Sequence, residues 1–246
     1  MKIAMCYRGF YKRSDKITDQ TPTRQSRDRV YGGNNFTETI QNHHQHVWSK
    51  LNHLDIYFHT YSADVISDSL LIDTITKQTG KAPVKHRFQQ YTNQGNRRSL
   101  NSVTAMVKQG EQYDLVINTR WDLWFNVDVE RLIEKIDHDR FNFMWREPGD
   151  KWDLGRMVCD LMFIYPGHMH EAWLRSLRVS EFDNADPCWT WGREHYKGFH
   201  TYYSALCQQI PEDQVHFMTE QRHDSLTGSA DWCHIHRRYD QARVHR

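Results

Sequence analysis

The sequence predicts an α/β fold, a mixed and mostly parallel sheet flanked by helices. Two observations carry that expectation. Segments of strand length alternate with segments whose apolar residues recur at helical spacing, the pattern of a sheet covered on both faces. One segment, residues 114–120, is so apolar through Leu115, Val116 and Ile117 that it belongs in the middle of such a sheet. A length of 246 residues at 38% hydrophobic content suffices for a substantial core. No internal repeat or low-complexity tract divides the chain, and it is read as one domain over residues 1–246.

Residues 2–7 (Lys-Ile-Ala-Met-Cys-Tyr) open the sheet as a short apolar strand. From Arg8 to Asn34 the chain is polar and without periodicity, a long loop of the kind that serves as a lid or binding loop. A helix follows, with Phe36, Ile40, Val47 and Leu51 on one face, Asn35 as N-cap and Glu38 three residues on. Strands are expected at 54–60 and 84–88. Between 96 and 109, Leu100, Val103, Met106 and Val107 stand at helical spacing, and Gly110 occupies a C-cap position. After the strand at 114–120 come a helix near 128–136, strands near 141–146 and 161–165, helices at 168–179 and 193–209, and a short strand at 215–218. Residues from about 226 to 246 form a tail that packs back over the domain or frays. In a sheet of this kind, ligands gather at the carboxyl ends of the strands. Those ends carry Arg8-Gly9, His59-Thr60-Tyr61 and Arg120-Trp121-Asp122.

Composition excludes several classes. With 32 basic against 31 acidic residues, a partner held by bulk charge is disfavoured, nucleic acid above all. No apolar run approaches the ~20 residues of a transmembrane segment. The apolar start of the chain is broken at Arg8, too soon for a secretory signal. The five cysteines are odd in number and none stands in CxxC spacing, so neither a disulfide framework nor a thiolate zinc site is indicated. A reducing, cytoplasmic compartment is expected. Aromatic residues reach 13%, which speaks for a folded globule. Such side chains line carbohydrate- and base-binding clefts as well as cores.

Motifs narrow the field further. There is no GxxxxGKS/T phosphate loop, no GxGxxG after the first strand, and neither GxSxG nor HExxH. The most informative segment is Tyr113-Asp114-Leu115-Val116-Ile117-Asn118-Thr119-Arg120-Trp121-Asp122-Leu123. An apolar strand ends there in Arg-x-Asp, and the i, i+2 spacing turns cation and carboxylate to the same side. Such a carboxylate can hold a divalent ion, which in turn can hold a diphosphate. The same residues can equally form an Arg–Asp pair at a strand end.

These residues stand in an ordered series. Lys2-Ile3-Ala4-Met5-Cys6-Tyr7-Arg8-Gly9 comes first, then Asp55-Ile56-Tyr57-Phe58-His59-Thr60-Tyr61, then Arg98-Ser99-Leu100-Asn101-Ser102. Tyr113 through Leu123 follows, and after it Cys159-Asp160-Leu161-Met162-Phe163-Ile164-Tyr165-Pro166-Gly167. Over roughly residues 1–180 the series resembles a group of viral and bacterial glycosyltransferases of the GT-A type. Their motifs read "KIAxCxxGxxR", "DxFxHTW" and "YDxVIxxRxDL". Two departures stand out. The first loop has Arg8-Gly9-Phe10-Tyr11-Lys12 where a Ser-Gly start is commoner, and the usual Asp-x-Asp is Arg120-Trp121-Asp122, with one carboxylate.

The resemblance implies a GT-A-like, Rossmann-like single domain. Its nucleotide-sugar-binding half is expected at about 1–125, its acceptor half at about 126–225, and its tail at 226–246. It implies a hexosyl- or deoxyhexosyl-transferase that moves a sugar from a nucleotide-sugar donor to a hydroxyl of a glycan or glycoconjugate, in the host cytoplasm if the chain is viral. The chemistry sets the roles. The departing diphosphate needs a metal or an Arg/Lys clamp, and the oxocarbenium-like sugar needs a carboxylate or acceptor oxygen nearby. Donor contacts are expected from Arg8, Gly9, Lys12, Arg13, Tyr61 (as a stacking surface for the base), Arg98, Ser102, Arg120 and Asp122. Asp122 is the expected ligand of Mn2+ or Mg2+, completed by His236 or His234. Asp160 is the expected general base, with Asp153 as runner-up. A non-catalytic carbohydrate-binding or virion structural protein is the alternative, favoured by the aromatic excess and the single Asp.

Overall fold

Ile3–Gly9, seven consecutive residues buried on both faces, set the plan of the molecule, because such a strand needs parallel neighbours and a helical layer on each side. The computed structural model describes residues 1–9, 36–62, 65–89, 95–146, 158–182, 202–220 and 232–235. Its first elements are β1 (Ile3–Gly9), α1 (Phe36–His46), β2 (Leu54–Tyr61), α2 (Val65–Thr79), β3 (Lys85–Gln89), α3 (Gly95–Thr104), β4 (Leu115–Arg120) and β5 (Leu123–Phe125). Then come α4 (Val129–Ile133), β6 (Phe141–Phe143), β7 (Met162–Pro166), α5 (His170–Phe182), α6 (Tyr202–Cys207), β8 (Val215–Phe217) and β9 (Cys233–Ile235).

One seven-stranded sheet has the order β3-β2-β1-β4-β7-β6-β8, and only β7 runs against its neighbours. The mixed, mostly parallel α/β sheet expected from the sequence is therefore the observed fold. Strand alternation sorts the core into two layers. Ile3, Met5 and Tyr7 face α1 and α2, packing with Ile40, Leu71 and Ile75. Ala4 and Cys6 face the other way, toward Leu100 and Val103 of α3, Trp173 and Leu177 of α5, and Leu206 of α6. On that second face a polar chain crosses the β4–β7 junction. The Thr104 hydroxyl donates to Asn118 Oδ1 at 2.8 Å, and Asn118 Nδ2 donates to Tyr165 Oη at 3.0 Å. A buried Asn in a central strand is tolerated because its amide is satisfied in this way.

The chain steps outward from β1 through β2 to β3, then returns past β1 to lay down β4 on its other flank. The strand order reverses between β1 and β4, and the covering helices change face there. This is the switch point at which open α/β sheets bind ligands.

Several elements differ from expectation. Helix α2 was not anticipated. The first helix ends at His46 rather than reaching Leu51, and Trp48–Lys50 form a 3-10 turn. The third helix ends at Thr104, so Gly110 caps no helix. It opens a 3-10 turn packed against α5, where a Cβ would fall 2.2 Å from His170 Cβ. Close approach is what requires glycine there. The segment 226–246 contributes a strand, β9, antiparallel to β5. Of the helix expected at 193–209, only α6 falls within the described residues, and nearly all of the loop expected over 8–34 lies outside them.

Candidate functional site

Pairing register builds the site. In the parallel β1–β4 ladder Arg8 stands beside Arg120, an arrangement of like charges that needs compensation. Two carboxylates supply it. Asp122 follows Arg120 at the i, i+2 spacing seen in the sequence. Asp160 arrives from 40 residues away because β7 is antiparallel to β4. With Thr119 opposite Met162, the residues just before β7 lie beside those just after β4.

The resulting cluster is dry and tightly bonded. Arg8 is 0%, Asp122 4%, Asp160 6% and Arg120 7% exposed. Arg120 donates from Nε to Asp122 Oδ1 at 2.7 Å and from Nη2 to Asp122 Oδ2 at 2.8 Å, a bidentate fork. Its remaining Nη1 reaches Asp160 Oδ2 at 3.3 Å. Arg8 donates from Nη2 to the Asp160 backbone carbonyl and lies 3.7 Å from Asp160 Oδ2. Two cations and two anions therefore balance. Burial acts to lower the Arg120 pKa, but the charges of Asp122 and Asp160 outweigh it and raise the guanidinium above its ordinary value. Arg8 goes the other way. Burial lowers it, Asp160 only partly restores it, and the neighbouring Arg120 depresses it further.

The peptide at Gly9 has φ of +86°, a left-handed conformation that an L side chain adopts at a cost of about 1–2 kcal/mol. Thr60 on β2 accepts this geometry by donating its hydroxyl to the Gly9 carbonyl at 2.6 Å.

Beneath the cluster, on the opposite face, Trp121 stacks on Tyr7 with ring centroids 4.1 Å apart and planes 14° from parallel. Tyr7 Oη accepts from Trp48 Nε1 at 2.8 Å. Helix α1 then fixes the strand that follows Asp122. Asn42 Oδ1 accepts from the Phe125 amide at 2.8 Å while its Nδ2 donates to the Phe125 carbonyl at 2.9 Å, imitating a strand neighbour. His43 donates from Nε2 to the Leu123 carbonyl at 2.6 Å, which settles its tautomer. These two positioning residues were not anticipated. Both are buried polar residues of α1, and nothing in the local sequence pattern marks them for that role.

Burial lowers the His43 pKa to about 4, against smaller opposing effects from the Leu123 carbonyl and Asp122. His59 is also lowered to about 4, by burial first and then by Arg87. A depressed histidine stabilises the fold fully above its unfolded value near 6.5. That contribution is lost as pH falls toward the folded value, because the unfolded chain takes up the proton first. For His43 the loss between pH 7 and 4 is on the order of 3 kcal/mol. Denaturant unfolding at the two pH values should show a shallower acid decline in His43→Gln, which keeps a donor but does not titrate.

The other expected site residues fall as follows. Tyr61 is 2% exposed, so its ring presents no open face to a base, contrary to the stacking expected of it. Ser102 is half-buried on α3. Arg98 belongs to the same helix, but its side chain lies outside the described residues, as does that of His234. Lys12, Arg13, Asp153 and His236 lie outside them entirely.

The expected Mn2+ or Mg2+ does not fit the described residues as they stand. Both oxygens of Asp122 accept from Arg120, and no group of three or more His, Cys, Asp or Glu among the described residues could hold a metal ion. The Arg–Asp pair is the reading of Arg120-Trp121-Asp122 that this geometry matches. No helix among the described residues is long and apolar enough to cross a membrane.

No protein-family model and no curated protein matches the sequence. Solved structures do resemble it. The apo form of the glycosyltransferase GlyE from Streptococcus pneumoniae TIGR4 aligns at 14% identity and a TM-score of 0.46, covering 91% of this chain and 46% of that one. This chain thus spans less than half of that protein. Mouse xyloside xylosyltransferase 1 aligns at 9% identity and a TM-score of 0.42, with 88% and 84% covered. A candidate glucose-1-phosphate thymidylyltransferase of Bacillus anthracis aligns at 11% and 0.47, with 89% and 86% covered. Similarity at this level assigns neither a family nor an activity to this chain.

Proposed function

We propose that the protein is a glycosyltransferase that uses a nucleotide-sugar donor, with the donor diphosphate held at the carboxyl ends of β1 and β4. One observation carries the reading: Arg8, Arg120, Asp122 and Asp160 converge at the switch point of a parallel sheet, where oxyanions are bound in such folds. The ordered motifs of the sequence support it, because the same residues that resemble the GT-A motifs form this cluster.

In this reading, the two guanidiniums stabilise the charge that grows on the leaving diphosphate, which preorganised cations do best in a dry site. Asp122 and Asp160 hold those cations in place and offset their mutual repulsion while no phosphate is bound. Donor entry then exchanges carboxylate partners for phosphate ones. Asp160, expected as general base, is already engaged with both arginines, so here it orients them. In this reading residues of about 1–125 form the donor half and those of about 126–225 the acceptor half.

The test is a thermal-shift series with nucleoside diphosphates and nucleotide sugars, each with manganese and with chelator. One base family should raise the melting temperature by several degrees, as linkage requires of a ligand well above its Kd. No shift with any nucleotide would overturn the reading. A second reading, a non-catalytic carbohydrate-binding protein, is favoured by the Arg120 fork, which engages both Asp122 oxygens. It predicts oligosaccharide binding without nucleotide binding.

A further inference from the structure

We propose that His59 belongs to the phosphate site as its third cation, taking up a proton from solvent when the diphosphate binds. The place of the phosphates rests on the function proposed above.

Pairing register puts His59 there. Arg8 on β1 stands beside His59 on β2, and His59 stands beside Arg87 on β3. Arg120 on β4 flanks Arg8 from the other side. The four side chains therefore form one row across β3, β2, β1 and β4, on one face of the sheet. Neighbouring strands lie about 4.8 Å apart, so a phosphate that reaches Arg8 arrives roughly one strand spacing from His59. The imidazole is 1% exposed, and neither ring nitrogen makes a hydrogen bond of ordinary geometry. The Gln89 amide is near enough to favour the charged ring, but it can face only one of the two nitrogens.

The surroundings keep the ring neutral in the free protein. Burial lowers its pKa to about 4, and the charge of Arg87 adds to that effect. On this face β1 contributes Arg8 and Cys6, β3 contributes Lys85 and Arg87, and β2 itself Tyr57 and Tyr61. Residues 99–104 of α3, which packs over β1 and β2, include no titratable side chain. None of these described neighbours is a carboxylate, and Asp122 and Asp160 bond to Arg120 at the other end of the row. A bound diphosphate reverses the sign of the local field. Two or more negative charges in a dry site outweigh the single exposed Arg87. The ring then protonates, and its charge joins those of Arg8 and Arg120. A merely structural histidine would take up no proton.

Calorimetric titration of the full chain at pH 6, in buffers of different ionisation enthalpy, counts the protons taken up on binding. The probes are inorganic pyrophosphate and the UDP-, GDP- and dTDP-hexoses. Wild type should take up about half a proton or more beyond His59→Gln, a difference in which the ligand's own protons cancel. From pH 5 to 6, wild-type affinity should fall by up to about tenfold more than that of the variant. Should His59→Gln fail to fold, Arg87→Gln at its exposed edge position decides, because losing that cation should move the uptake profile to higher pH. Equal uptake by wild type and His59→Gln, or a profile unmoved in Arg87→Gln, would overturn the proposal. Nucleotide-sugar binding without that uptake defeats the assignment of His59 alone. Uptake with pyrophosphate that is lost in His59→Gln, with no nucleotide sugar bound, upholds His59 and defeats the transferase reading. No binding of any probe defeats both.

Discussion

Arg120→Ala is expected to cost about 3–5 kcal/mol of folding stability, the range for removing one partner of a buried ion pair. Arg120 is the hub of the cluster. Without it, Asp122 loses both bonds of the fork and Asp160 loses its contact with Nη1. Both carboxylates remain nearly dry, at 4% and 6% exposure. Asp122→Asn should cost less, about 1–3 kcal/mol, because Arg120 retains Asp160 and the amide oxygen still accepts one bond. The order matters more than either value. Urea unfolding should place the midpoint of Arg120→Ala well below that of Asp122→Asn, with wild type highest. Equal midpoints for wild type and Arg120→Ala would mean the network contributes nothing to the fold.

Trp121→Ala is expected to lose about 3–5 kcal/mol, the range for truncating a buried aromatic. Trp121 is 1% exposed, stacks on Tyr7, and lies edge-on to Phe58 with centroids 5.8 Å apart. Its place between Arg120 and Asp122 couples packing to chemistry. The indole anchors the turn from the core side, so that its two neighbours point together to the other face. Trp121→Phe keeps an aromatic ring against Tyr7 and should recover most of the stability. A nucleotide titration of Trp121→Phe should then match wild type, since the substituted ring does not belong to the ligand face.

Much of this fold was legible because its central strands advertise themselves. Ile3 through Tyr7 and Leu115 through Ile117 are apolar runs bounded by polar ends, and strand alternation alone places Arg120 and Asp122 on one side. The Arg–Asp pairing was one of the two readings that spacing allowed. What chose between them was depth, and depth depends on strand register, which no local pattern contains. Asp160 shows the same limit. An Asp before an apolar strand is visible, but its meeting with Arg8 requires β7 to run antiparallel to β4. Helix α2 escaped notice for a different reason. It is rich in Thr, Ser and β-branched residues, weak helix formers. Its outward Ile66 and Leu70, 81% and 51% exposed, blur the stripe formed by Leu71 and Ile75. Strands β5 and β9, three residues each, are too short to show alternation.

The proposed function places a donor diphosphate at the carboxyl ends of β1 and β4. A crystal structure of the protein with the nucleoside diphosphate that gives the largest thermal shift tests it most directly. Both phosphates should lie within hydrogen-bonding distance of the Arg8 or Arg120 guanidinium, with the Arg120–Asp122 fork opened or shared. A diphosphate bound elsewhere, with that fork intact at its present distances, would contradict it.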